Sequence, residues 1–142
     1  MLSTSHLHPM IVHFPIALVM MGFLFELLSV FFKKQVCWYF ASFWLLIFGA
    51  LAAIAAVVSG DLFTSEMSGA AALVRHTHEL MADITLVLLI VNSILRLYMK
   101  TSQREYNTLK WISFTLYAIT AITVSITGFY GGNLVYSYML PL

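Results

Sequence analysis

Charge is what this sequence has least of. Asp, Glu, Lys and Arg make up 9% of its 142 residues, where a soluble domain carries about a quarter. A soluble fold of this length needs a polar shell, and the chain has too few residues to build one. It is therefore read as one small membrane domain. Cysteine occurs once, at Cys37, which excludes an intrachain disulfide and leaves the redox compartment unmarked. Strong positive charge is missing as well. The net charge is +1, so nothing points to nucleic acid as a partner. No basic segment precedes the first apolar run, and a basic pair follows it, so that run does not read as a secretory signal peptide.

What is present is apolar length. The composition is 61% hydrophobic, gathered into four runs, and spans are expected at about 10–32, 36–59, 79–99 and 110–130. Pro9 and Pro15 each restrict the residue before them, which pushes His8 and Phe14 away from helical geometry. Either proline can open the first helix. A start at Pro9 gives about 24 residues and a start at Pro15 about 18, near the minimum for a span. The second run begins with aromatic residues and ends small, with Ala52, Ala56 and Gly60 spaced four apart for close helix approach. Leu62–Thr77 reads as the long loop. The fourth run carries Thr115, Thr120, Thr123 and Thr127 and closes on Gly128, Gly131 and Gly132. No inverted repeat or paired broken span argues for a transporter.

Basic residues orient the spans. Lys33, Lys34, Arg96, Lys100, Arg104 and Lys110 fall at one end and only Arg75 at the other. Short basic loops face the cytoplasm. The expectation is an all-α, integral membrane four-helix bundle in the bacterial cytoplasmic (inner) membrane, with both termini on the outer, periplasmic side. All five histidines then lie at the outer end, with Asp61, Glu66, Glu79 and Asp83.

Histidine is the commonest transition-metal ligand and holds haem iron through a neutral ring nitrogen. His13 at the top of the first span and His78 at the top of the third match in depth, and they are the expected axial pair for one haem. His8 is a second candidate on the first segment. His6 and His76 read as residues that simply meet water. His76, Glu79 and Asp83 share a helical stripe, and Asp83 is placed to orient a liganding imidazole or to act as an acid at a helix N-terminus. No histidine lies in the inner half of any span, which excludes two stacked bis-histidine haems crossing the bilayer. In that inner half, Glu26 is expected to pair with Arg96 or Asn92 as a structural resolution of a costly charge.

The opening His8-Pro9-Met10-Ile11-Val12-His13-Phe14-Pro15-Ile16-Ala17-Leu18 resembles that of the bacterial membrane family called domain of unknown function 2231. Ser59-Gly60-Asp61, His78 and the closing Gly131-Gly132-Asn133-Leu134-Val135-Tyr136 follow in matching order. The resemblance covers nearly the whole chain and implies a four-span domain. It also implies redox surroundings, since some members are joined to Rieske or c-type cytochrome domains. It carries over His8, His13, Asp61, His78 and the tail glycines.

Three readings follow. The first is an electron-transfer subunit, not a stand-alone enzyme, with one b-type haem between His13 (or His8) and His78. In it Arg75 meets a propionate, and the redox partner is an outer Rieske or c-type cytochrome domain or a quinone. The second is a zinc or copper site built from His8, His13 and His78 and completed by Asp61 or Asp83. The third is a non-catalytic structural subunit of the membrane.

Overall fold

The computed structural model describes residues 7–32, 34–64, 67–102 and 107–139. His6, Lys33, Glu66 and Arg104, all used above, lie outside them. The chain forms α1 (Leu7–Ile11), α2 (His13–Phe31), α3 (Val36–Phe63), α4 (Ala70–Ser102) and α5 (Asn107–Leu134), and ends in a π-helical turn, Val135–Met139. Four helical stretches are long and apolar enough to cross a membrane: Leu7–Phe31, Val36–Phe63, Ala70–Ser102 and Asn107–Tyr138. At 1.5 Å per residue the 28 residues of α3 reach about 42 Å, beyond the roughly 30 Å hydrocarbon core. His8 and His13 lie in the first turns of α1 and α2, and His76 and His78 in the first third of α4.

Two local expectations are corrected. His8 and Phe14 are helical despite the prolines that follow them. Pro9 falls in the first turn of α1, where a missing N–H is not needed, and Val12, between α1 and α2, keeps right-handed helical angles (φ −62°, ψ −20°), so Leu7–Phe31 continues as one helical stretch. The second correction concerns the long loop. Most of Leu62–Thr77 is helix, because α3 runs to Phe63 and α4 begins at Ala70. Ala70, Ala71, Ala72 and Leu73 are strong helix formers. Gly69, at φ +64°, makes the left-handed turn that launches them. His76 and His78 therefore lie inside α4 rather than ahead of it.

The helices pack as two hairpins, α2 with α3 and α4 with α5. Contacts of α3 with α4 and of α2 with α5 close the ring, which leaves α2 and α4 diagonal. Val19, Leu46, Leu89 and Tyr117, one from each helix, are fully buried at the centre. Phe48, Ile94 and Ile122 are among the large apolar side chains that face outward, as a bundle solvated by lipid requires.

The two hairpins repeat one another. A shift of 70 residues carries buried Pro15, Val19, Gly22 and Glu26 of α2 onto buried Thr85, Leu89, Asn92 and Arg96 of α4. A shift of 71 carries buried Ser42, Leu46, Gly49, Ala50 and Ala53 of α3 onto buried Ser113, Tyr117, Thr120, Ala121 and Val124 of α5. With α2 opposite α4 and both running the same way, the hairpins are related by an approximate two-fold axis along the bundle. The repeat is parallel, not inverted.

Equivalent residues meet across that axis. Glu26 and Arg96 form an ion pair of 2.6 Å with side-chain exposures of 7% and 1%. Ser42 donates to the second Glu26 oxygen at 2.6 Å. Arg96 Nε donates to Ser113 Oγ at 2.7 Å, and Ser113 donates to Asn92 Oδ1 at 2.7 Å. All four helices thus contribute to one satisfied polar cluster, and the expected pair of Glu26 with Arg96 is present, with Asn92 one bond away.

Candidate functional site

The other pair of equivalent residues, His8 and His78, meets at the opposite end of the bundle. Their ring centres are 6.3 Å apart and their planes lie at 81°. Each imidazole is held by its own hairpin. His78 Nδ1 is 3.0 Å from the Thr127 carbonyl of α5, and a carbonyl only accepts, so Nδ1 carries the proton. His8 Nδ1 is 2.9 Å from Ser59 Oγ of α3. That hydroxyl donates its own hydrogen to the Ala56 carbonyl at 2.7 Å, so it accepts from His8, and Nδ1 is again the protonated nitrogen. Both Nε2 atoms are left with a lone pair, and among the described residues neither has a hydrogen-bond partner. Hydrogen bonding at Nδ1 that fixes the tautomer is the arrangement a metal-binding imidazole requires.

Glycines give both rings their room, again as equivalents. A Cβ on Gly60 would lie 3.2 Å from His8 Cε1, and one on Gly131 3.0 Å from His78 Cε1. Either methyl would press on the ring that the glycine now admits. The separation also suits a shared metal. Two metal–nitrogen bonds of about 2 Å, with about 1 Å from each nitrogen to its ring centre, place the centres about 6 Å apart. The two donors come from opposite hairpins, so a group held by both would join the two hairpins at this end. Two imidazoles from opposite hairpins are a donor pair of the kind that could hold a metal or a haem iron.

The remaining candidates are dispersed. His13 is exposed, and its Nδ1 lies 2.6 Å from the Pro9 carbonyl one turn back on its own helix. The structure therefore brings His8, rather than His13, to His78. Five residues separate His8 from His13, which turns them to different faces of the helix. His76, Glu79 and Asp83 form the expected stripe, but all three are exposed. The Thr127 carbonyl, rather than Asp83, accepts the hydrogen bond from His78 Nδ1. Asp61 is exposed beside Gly60. Arg75, one turn before His78, is bound to Glu79 at 2.6 Å. Among the described residues no three of His, Cys, Asp and Glu gather in a way that could hold a metal ion.

Ser59, Gly60, Thr127 and Gly131 are the supporting residues that reading along the chain does not single out as a group. A signal for them exists. His8 precedes Glu26 by the same interval as His78 precedes Arg96, and the shift of 71 that carries α3 onto α5 aligns Gly60 with Gly131.

The family model described as "Predicted membrane protein (DUF2231)" matches residues 4–141. Comparison with curated proteins and with solved structures gives no match.

Proposed function

This chain belongs to the DUF2231 family of predicted membrane proteins, and from that premise and the paired imidazoles we propose that it is a membrane electron-transfer subunit holding one b-type haem between His8 and His78. The observation that carries the reading is the matched pair: one imidazole from each hairpin, each anchored at Nδ1, with the ring centres 6.3 Å apart. When bound, the iron supplies a one-electron couple. The chain's own residues do the rest. Ser59 and Thr127 hold the tautomers, and Gly60 and Gly131 let the rings sit close to α3 and α5. Buried Ala56, Thr85 and Val124 pack the bundle beneath the pair. Arg75, ion-paired with Glu79 at 2.6 Å, is the basic residue one turn before His78 on α4.

The excess of basic residues at the opposite end supports an outer-face position for the histidine end in a bacterial inner membrane. A redox centre there exchanges electrons with a Rieske or c-type haem domain on that side, or with a quinone in the bilayer. A zinc or copper site needs more donors than the histidine pair supplies, and the described residues gather no third.

The absorbance spectrum of detergent-purified protein tests the reading. A Soret band with the sharp visible bands of a six-coordinate haem is expected, and it should be lost when His8 and His78 are both replaced. Stoichiometric zinc or copper without a Soret band would favour a metal site. Neither haem nor metal would leave a structural subunit.

A further inference from the structure

The inner faces of the two hairpins share one plan and differ in two layers. In the first layer the α2–α3 hairpin presents an anion and the α4–α5 hairpin a cation. Each ion is set by the equivalent serine of its own hairpin: Ser42 donates to Glu26 at 2.6 Å, and Ser113 accepts from Arg96 at 2.7 Å. Glu26 and Arg96 then meet across the axis at 2.6 Å. Two α2–α3 hairpins closed in the same way would bury carboxylate against carboxylate. Two α4–α5 hairpins would bury guanidinium against guanidinium. Neither repulsion is screened in a low-dielectric interior.

The second layer differs in size. The Tyr117 hydroxyl of α5 occupies the space where a Gly22 side chain would begin. The equivalents of Gly22 and Tyr117 are Asn92 and Leu46, both fully buried. Two α4–α5 hairpins would set the Tyr117 hydroxyl against Asn92, in a space that does not admit even a Cβ. Two α2–α3 hairpins would set Leu46 against Gly22 and leave the volume of the phenol unfilled. Charge and size therefore reject the same two pairings.

We propose that the inner face of each hairpin is a coded recognition surface that accepts only the unlike hairpin, of its own chain or of a second copy. Faces of one plan need a repulsive element to tell copy from complement, and fixing a partner is the best-attested use of a buried polar pair. The code uses neither His8 nor His78 and does not depend on a haem. Exchange between two copies is within reach of the chain. The link from α3 to α4 covers residues 64–69, which extended reach about 20 Å. Packed helices of neighbouring bundles lie only about 10 Å apart.

The test uses two differently tagged full-length copies, coexpressed, purified in detergent through one tag and measured through the other. Glu26→Arg and Arg96→Glu each set like charges against one another within a chain. Together they restore an unlike pair at both seams of an exchanged dimer. The mixed pair should copurify roughly tenfold or more above either variant with its own kind and above wild-type copies, and should recover the yield that each variant loses alone. Equal association of same-variant copies overturns the proposal, and so does a mixed pair that stays apart. Both reversals in one chain should recover wild-type yield without association, because Ser42 and Ser113 can each donate or accept; no recovery overturns it. Gly22→Asn should lose yield, and Tyr117→Leu should restore it by copying the Asn92 and Leu46 layer. A double variant no better than Gly22→Asn alone overturns the size layer of the code.

Discussion

Replacing Glu26 by glutamine tests how the bundle tolerates charge at its centre. The substitution leaves the Arg96 guanidinium buried at 1% exposure without its counter-ion. Removing one member of a buried ion pair costs about 3–5 kcal/mol. The loss here belongs at the lower end, about 3 kcal/mol, because Arg96 keeps Ser113 Oγ at 2.7 Å, Ser42 Oγ at 3.4 Å and the faces of Tyr39 and Tyr117 at 5.3 and 5.5 Å. Arg96→Met should cost about 4 kcal/mol, since the Glu26 carboxylate keeps only the Ser42 hydroxyl. The double variant removes both charges and should cost about 4 kcal/mol rather than the roughly 7 of two independent changes, a coupling of about 3 kcal/mol. Unfolding in mixed micelles, followed by tryptophan fluorescence, gives the three differences. Additivity of the two single changes within about 0.5 kcal/mol would refute an energetically coupled pair.

Among the described residues the buried Tyr117 hydroxyl has no hydrogen-bond partner, and it occupies the space where a Gly22 side chain would begin. Gly22→Ala should therefore destabilise by about 1–3 kcal/mol, and Tyr117→Phe should restore most of the loss and be neutral or slightly stabilising alone, both read by the same unfolding assay. Gly131→Ala should lower haem content in proportion to protein more than it lowers yield, because the added methyl meets His78 Cε1; unchanged haem content would detach Gly131 from the site. His13→Ala should leave the Soret band in place, since His13 is exposed and bonded within its own helix; loss of haem there would restore His13 as the ligand. A reporter fused after Leu142 should read the outer compartment and one inserted near Ser102 the cytoplasm, and the reverse would move the site to the other face.

The four apolar helices and the depth of Glu26 against Arg96 are legible along the chain, because hydropathy and distance from a helix end are one-dimensional properties. The clustering of histidine at one end of the spans is legible for the same reason. Which histidine faces His78 is not, because that depends on helix rotation. Five residues of α-helix separate His8 from His13 and turn one inward and the other outward. The extent of α4 was hidden by the polar character of Ser68–His78, whose alanines make helix as readily in water as in lipid. Sequence alone, then, determined a membrane bundle with a histidine end and a basic end. Tertiary structure decided that two equivalent hairpins meet on an axis, with His8 facing His78 at one end and Glu26 facing Arg96 at the other, because only packing fixes which side of each helix is turned toward its neighbour.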